Sequence, residues 1–324
     1  MSIYNRVKGK ISRIHLQAAI ASHNMYNSLT GPSRLKRSLK NNKPSRVFEA
    51  INADQPREVE FRTEDAALQE VIFTCYFVTM KDPHSKIIRR NADINYIAPW
   101  YNSISKLNVT GIIIHDGLDQ SFIDQYQTNR ILFRKYTPGN YSIFEERWMA
   151  YYLFLSQSKI QRAFLSDIND VYITGNPFTR FNQNLTLYVG RDIANKIKDS
   201  GWMLTELSNF EKEAQFRAPQ LFQHQYVYNA GVIGGSRSIL LFLISRVIDY
   251  VLRGHTSDHK DMTILNLCIY DHFFPLISSD LSGPKLNTDD EDKKASHAHL
   301  VTGYPLNSRF SRQELTSDAY FIHK

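Results

Sequence analysis

From residue 71 onward the chain alternates apolar, β-branched runs with longer segments of helical periodicity, and that alternation leaves few architectures open. Residues 71–79 (VIFTCYFVT), 111–116 (GIIIHD), 130–136 (RILFRKY) and 161–167 (QRAFLSD) read as buried strands. Between them, a stretch running through Trp100-Tyr101 and the segment 144–157 (FEERWMAYYLFLSQ) carry helical spacing. Strands separated by helices imply right-handed βαβ crossovers and a mostly parallel sheet with helices on its faces. In such sheets ligands bind beyond the carboxyl ends of the strands, so polar residues at strand ends become the candidates for function.

The net charge of +7 invites a nucleic-acid reading, but the charge is not spread evenly. The first 50 residues hold ten Lys/Arg against the single acid Glu49, which leaves 29 basic and 31 acidic residues for everything else. The body is therefore nearly neutral, and only the N-terminus is basic. Its run Arg34, Lys36, Arg37, Lys40, Lys43, Arg46 has few aromatics beside it, so it lacks the stacking platforms of a single-strand binder. We assign residues 1–60 to a basic extension and 61–324 to one α/β domain. No nucleic-acid partner is expected. Residues 1–50 leave open a contact with an anionic partner or a membrane surface, and nothing in the sequence fixes an oligomeric state.

Cys75 and Cys268 lie far apart in apolar stretches without metal-ligand spacing, which excludes a disulfide framework and a zinc site. The longest apolar stretch, 231–252, is interrupted by Arg237, Arg246 and Asp249, and so reads as an amphipathic helix instead of a membrane span. The N-terminus has no uninterrupted apolar core of the signal-peptide kind. A cytoplasmic location, with peripheral membrane attachment as the variant, is the expectation.

The strongest chemical signal is Ser166-Asp167-Ile168-Asn169-Asp170 at the end of an apolar strand, followed by Asn176-Pro177-Phe178. Two carboxylates and a carboxamide delivered onto one turn suit a hard divalent ion such as Mn²⁺ or Mg²⁺. An Asx turn, with the same residues merely capping a chain reversal, explains them equally well. A second signal is Asn229-Ala230-Gly231-Val232-Ile233-Gly234-Gly235, whose glycines let backbone approach a ligand or serve a plain strand-to-helix joint. It fits neither a dinucleotide fingerprint nor a Walker loop.

Taken in order, Asp-x-Asn-Asp after an apolar strand, Asn-Pro-Phe, Asn-Ala-Gly-Val-Ile-Gly-Gly, Asp261-Met262 and a final His323-Lys324, the series resembles the GT-A superfamily of nucleotide-sugar-dependent glycosyltransferases, over roughly residues 70–324. The resemblance implies a GT-A (Rossmann-like) mixed sheet and transfer of a sugar from a UDP- or GDP-sugar to a hydroxyl of a glycan-type acceptor, assisted by Mn²⁺ or Mg²⁺. By this similarity Asp167 is the first carboxylate of the DxD motif. Asn169 replaces the second, Asp170 is positioned to make up the loss, and His323 is a late metal ligand with His299 as its rival. Lys324 and Arg147 would face the diphosphate, while Thr74, Phe77, Thr79 and Asp82 would surround base and ribose. Asn229, Gly234 and Gly235 would lie beside the sugar. Asp261 would be the acid that meets sugar hydroxyls or, for an inverting reaction, the general base. Its usual Gln neighbour is Met262 here. A related pyrophosphorylase is disfavoured because 71–84 (VIFTCYFVTMKDPH) contains no glycine. A non-catalytic carbohydrate-binding or scaffold protein on the same fold is the second reading.

Overall fold

The computed structural model describes residues 44–53, 55–83, 86–89, 91–182, 184, 186–207, 226–252, 261–273, 299–308 and 320–323. The predicted α/β alternation is what forms. β2 (Glu70–Tyr76), α2 (Ile94–Ser105), β3 (Thr110–His115), α3 (Gln120–Tyr126), β4 (Ile131–Thr137), α4 (Ile143–Gln157) and β5 (Arg162–Ser166) follow one another. Ahead of them stand α1 (Pro44–Ile51) and β1 (Glu58–Val59), and after them β6 (Val171–Ile173), β7 (Thr186–Lys196) and α5 (Gly201–Leu207). β8 (Tyr226–Ser236), α6 (Arg237–Leu252), α7 (Asp261–His272), β9 (His299–Ser308) and β10 (Phe321–His323) complete the described chain.

The sheet order is β1-β4-β3-β2-β5-β8-β7-β9-β10-β6. β4, β3, β2 and β5 are mutually parallel, and β8 runs antiparallel between β5 and β7. The result is a mixed, mostly parallel sheet flanked by helices, compatible with a Rossmann-like fold. From β2 the chain steps outward to β3 and β4, then α4 carries it back so that β5 lands on the other side of β2. The reversal puts the topological switch point between the carboxyl ends of β2 and β5, the place where a crevice forms and ligands bind in such sheets.

Strand alternation divides the core between the two faces. Val71, Phe73, Ile112, Ile114 and Leu165 pack with α4, α6 and α7, whereas Ile72, Ile113, Phe133 and Phe164 pack with Ile97, Trp100 and Ile104 of α2. Gly111 gives the Trp100 ring room to lie on the sheet, and the indole Nε1 donates to Ser166 Oγ at 2.8 Å. The segment 77–79, read as strand, leaves the sheet after Tyr76 because Asp116 captures it. The Asp116 carboxylate accepts from the backbone N–H groups of Val78 (2.6 Å), Thr79 (3.0 Å) and Met80 (3.2 Å) and from Thr79 Oγ1 (2.6 Å).

Residues 44–53 and 55–60, assigned in the sequence to the basic extension, pack into the body. Ile51 is fully buried, α1 lies against α6, and the Arg57 guanidinium is buried against Glu146 of α4 at 3.1 Å. Gly139 makes room for that guanidinium. Arg57, inside the 1–60 boundary drawn for the extension, is thus part of an internal ion pair. The remaining extension, 1–43, lies outside the described residues. Among the described residues no helix is long and apolar enough to cross a membrane.

Burial pushes the His115 imidazole down to about 4, and its Nδ1 accepts from Leu118 N at 3.2 Å. The unfolded chain protonates His115 near 6.5, so between about pH 6.5 and 4 it binds more protons than the folded protein. This contribution to stability is intact above about pH 6.5 and is lost as pH falls toward 4, by at most roughly 3 kcal/mol. Denaturant titrations at a series of pH values should show this slope in the wild type, and it should flatten in His115→Asn.

Candidate functional site

β5 ends at Ser166, and the next residue, Asp167, is held at the edge of the crevice by its N–H donating to Gly231 O of β8 at 3.1 Å. The turn after it buries Ile168, exposes Asn169 and returns Asp170 to the side of Asp167. β6 then pairs antiparallel with β10 in the register Val171↔His323. That register sets the imidazole beside both carboxylates, Nε2 lying 3.3 Å from Asp170 Oδ2 and 3.8 Å from Asp167 Oδ2. One ligand atom from each of Asp167, Asp170 and His323 falls within 4.8 Å of the others. His323 is buried, whereas the two carboxylates stay partly exposed.

The glycine motif helps build this cluster. Pairing of β7 with β8 jumps from Val189↔Ile233 to Gly190↔Asn229, so β8 bulges at 230–232. Asn229 Oδ1 fixes the bulge by accepting from Gly231 N at 2.6 Å, and a Cβ on Gly231 would overlap the His323 ring. Gly231→Ala should therefore displace the imidazole and weaken divalent-metal affinity by about 10–100-fold. A Mn²⁺ titration of the folded variant checks this.

Arg147, from the first turns of α4, ties the cluster to α7. Its guanidinium donates to Asp167 Oδ1 at 2.6 Å and to Asp261 Oδ2 at 2.5 Å. Burial alone would lower the Arg147 pKa, but the charges of Asp261 and Asp167 outweigh it and raise the value further. Asp261 opens α7, and one turn on Asn266 clamps β8 beside the glycine bulge. Asn266 Oδ1 accepts from Tyr228 N and its Nδ2 donates to Tyr228 O, both at 2.8 Å. Glu145, buried close enough to Asp261 to feel its charge, has its pKa raised chiefly by burial. Cys75, near the same floor, is pushed up to about 12 by burial and is no nucleophile at neutral pH.

The structure thus brings together Asp167, Asp170, His323, Arg147 and Asp261. It places several other candidates elsewhere. Thr74 is fully buried inside β2, and Phe77 stacks on Tyr136 at 5.7 Å, so both belong to the core. Thr79 is engaged by Asp116, and Asp82 pairs with Arg89 at 3.6 Å. Asn169 points away from the cluster to solvent, because the turn alternates its side chains and Asp170 occupies the inner position. Gly234 seats the Phe164 ring and Gly235 lies against Thr186 O and Ile239, which makes both packing positions inside the sheet. Asn176 is an N-cap, its Oδ1 accepting from Phe178 N at 3.0 Å. His299 begins β9 opposite Thr186, at the other end of that strand from Ser308, the partner of His323. This leaves His323 as the ligand candidate. Lys324 lies outside the described residues. Sequence reasoning missed the special need for Gly231 and the bridge made by Arg147, since neither has a local pattern.

Two carboxylates and an imidazole form a donor set suited to Mn²⁺ or a similar divalent ion. Asp170 Oδ1 is buried without a hydrogen-bond partner, the kind of acceptor a cation would satisfy. With one guanidinium set against three carboxylates, the cluster retains excess negative charge for such an ion. No protein-family model matches this chain, and no curated protein matches it at a significant level.

Proposed function

We propose that this protein is a metal-assisted glycosyltransferase of the GT-A type, moving a sugar from a UDP- or GDP-sugar to a hydroxyl of a glycan-type acceptor. The observation that carries the reading is the Asp167, Asp170 and His323 cluster at the switch-point crevice, tied through Arg147 to Asp261. Asp167, Asp170 and His323 would hold the metal, which supplies neutralisation of the charge that grows on a departing diphosphate.

The protein's own groups divide the remaining work. Arg147 fixes Asp167 through Oδ1, which turns Oδ2 toward His323 and sets the ligand pair in place before substrate arrives. Asp261, held through Oδ2, offers its other oxygen to a hydroxyl of the sugar or the acceptor. If the reaction inverts the anomeric centre, that oxygen takes the acceptor proton. Trp148, next in sequence to Arg147, is buried in the core.

Thermal unfolding of the full chain against UDP- and GDP-sugars, with and without Mn²⁺, tests the reading. One donor should stabilise the protein only in the presence of metal, by about 2.7 kcal/mol at a hundredfold excess over Kd. A folded sample that responds to no donor overturns the proposal. A metal-dependent shift without turnover, across a glycan acceptor panel, would favour the non-catalytic carbohydrate binder.

A further inference from the structure

We propose that the turn closed by Lys81 and Ile88 docks the protein on an anionic lipid bilayer, with Ile87 and Ile88 entering the headgroup region and Lys81 and Lys86 meeting lipid phosphates. The proposal does not rest on the transferase reading. An antiparallel bridge between Lys81 and Ile88 closes the hairpin. Asp82 N donates to Ile87 O at 2.9 Å and Lys86 N to Asp82 O at 2.8 Å, and these bonds hold Lys86 in the left-handed region at φ 60°. The stalk is anchored to the body. Pro83 is buried, and the Arg89 guanidinium lies 3.7 Å over the ring of Tyr96, which stacks in turn on Tyr76 at 5.5 Å.

This anchored turn carries its apolar residues outward. Ile87 is 59% exposed and Ile88 39%, two of the four large hydrophobic residues that stand exposed among the described residues. Around them Lys81 and Lys86 are exposed and Arg89 partly so, and the single acid of the turn, Asp82, faces Arg89. Two adjacent exposed aliphatic side chains beside exposed lysines match a bilayer whose apolar interior lies under anionic headgroups. Two isoleucines fall far short of the roughly 1,000 Å² that a specific protein interface needs, which favours lipid over a protein partner. The basic residues of segment 1–43 supply the second weak attraction that stable peripheral binding requires. The hairpin leaves the carboxyl end of β2, the same end of the sheet as Asp167, so docking would turn the crevice toward the membrane.

The test is co-sedimentation of the full chain with phosphatidylcholine vesicles, with and without phosphatidylserine. Binding should require phosphatidylserine and weaken with salt. Ile87→Ser with Ile88→Ser should lower the partition coefficient at least about tenfold while near-UV circular dichroism stays unchanged. Ile87→Trp should give a blue-shifted emission on vesicles. Neutralising Arg34, Lys36, Arg37 and Lys40 to Gln in the full chain separates the arm from the hairpin, and the tryptophan shift should survive it. The proposal fails if the full chain ignores anionic vesicles, or if the Ser variant binds like wild type. It fails equally if heparin binds as tightly as vesicles and is indifferent to the Ser substitutions, since charge alone would then account for the contact.

Discussion

On the proposed transferase reading, Asp167→Asn should lose transfer by more than about a hundredfold while retaining the fold. The change removes charge from a ligand whose two oxygens serve different partners, Oδ1 with Arg147 and Oδ2 facing His323. Altering only the groups that orient a metal ligand typically costs 10–100-fold, and replacing the ligand itself should cost more. Stability should change little, because Asp167 is partly exposed and lies just outside β5. Donor turnover and Mn²⁺ affinity measured on the same folded sample check the result. Unchanged metal affinity with turnover lost would move the metal elsewhere, and unchanged values for both would reduce the cluster to a structural turn.

The largest stability loss should come from Glu146→Ala. Glu146 is fully buried and accepts from Arg57 Nε at 3.1 Å, from the Tyr136 hydroxyl at 2.5 Å and from Tyr141 N at 3.3 Å. Removing it leaves a buried guanidinium without its counter-charge, a change that costs about 3–5 kcal/mol. The melting temperature should fall by about 4–7 °C. Arg57→Met combined with Glu146→Leu should recover most of the loss, since replacing both partners of a buried pair by apolar groups is often near neutral. A double variant as unstable as the single one would show that the hydrogen bonds to Tyr136 and Tyr141, rather than charge burial, set the cost.

These two residues mark what the sequence could and could not reveal. Strands built from unbroken β-branched runs, such as Ile112-Ile113-Ile114, and long helices such as α4 and α6 were legible because their periodicity is strong. The short α3 was not, since the seven residues from Gln120 to Tyr126 carry little helical pattern. Asp167 and Asp170 were legible as a pair on one turn, whereas the resemblance offered His323 with His299 as its rival, and only the β6–β10 register separates them. Arg147 gave no local sign that it would bridge two carboxylates, because its partners lie 20 and 114 residues away. The boundary at residue 60 put Arg57 with the extension because its partner, Glu146, lies 89 residues away and leaves no local sign. Gly234 and Gly235 were read as ligand-facing because the pattern shows only that side chains are missing, and the Phe164 ring that fills the space comes from another strand.

The pairing of β10 with β6 also bears on how the molecule comes into being. His323 reaches Asp170 only after a strand at 321–323 has closed onto one at 171–173. Vectorial synthesis delivers the carboxylates long before the imidazole, so a nascent chain carrying a complete parallel core still has an open cluster. Such closure of distant segments is slow relative to local contacts. A growing chain on the ribosome therefore cannot assemble the three-residue cluster until the whole body is available to hold it.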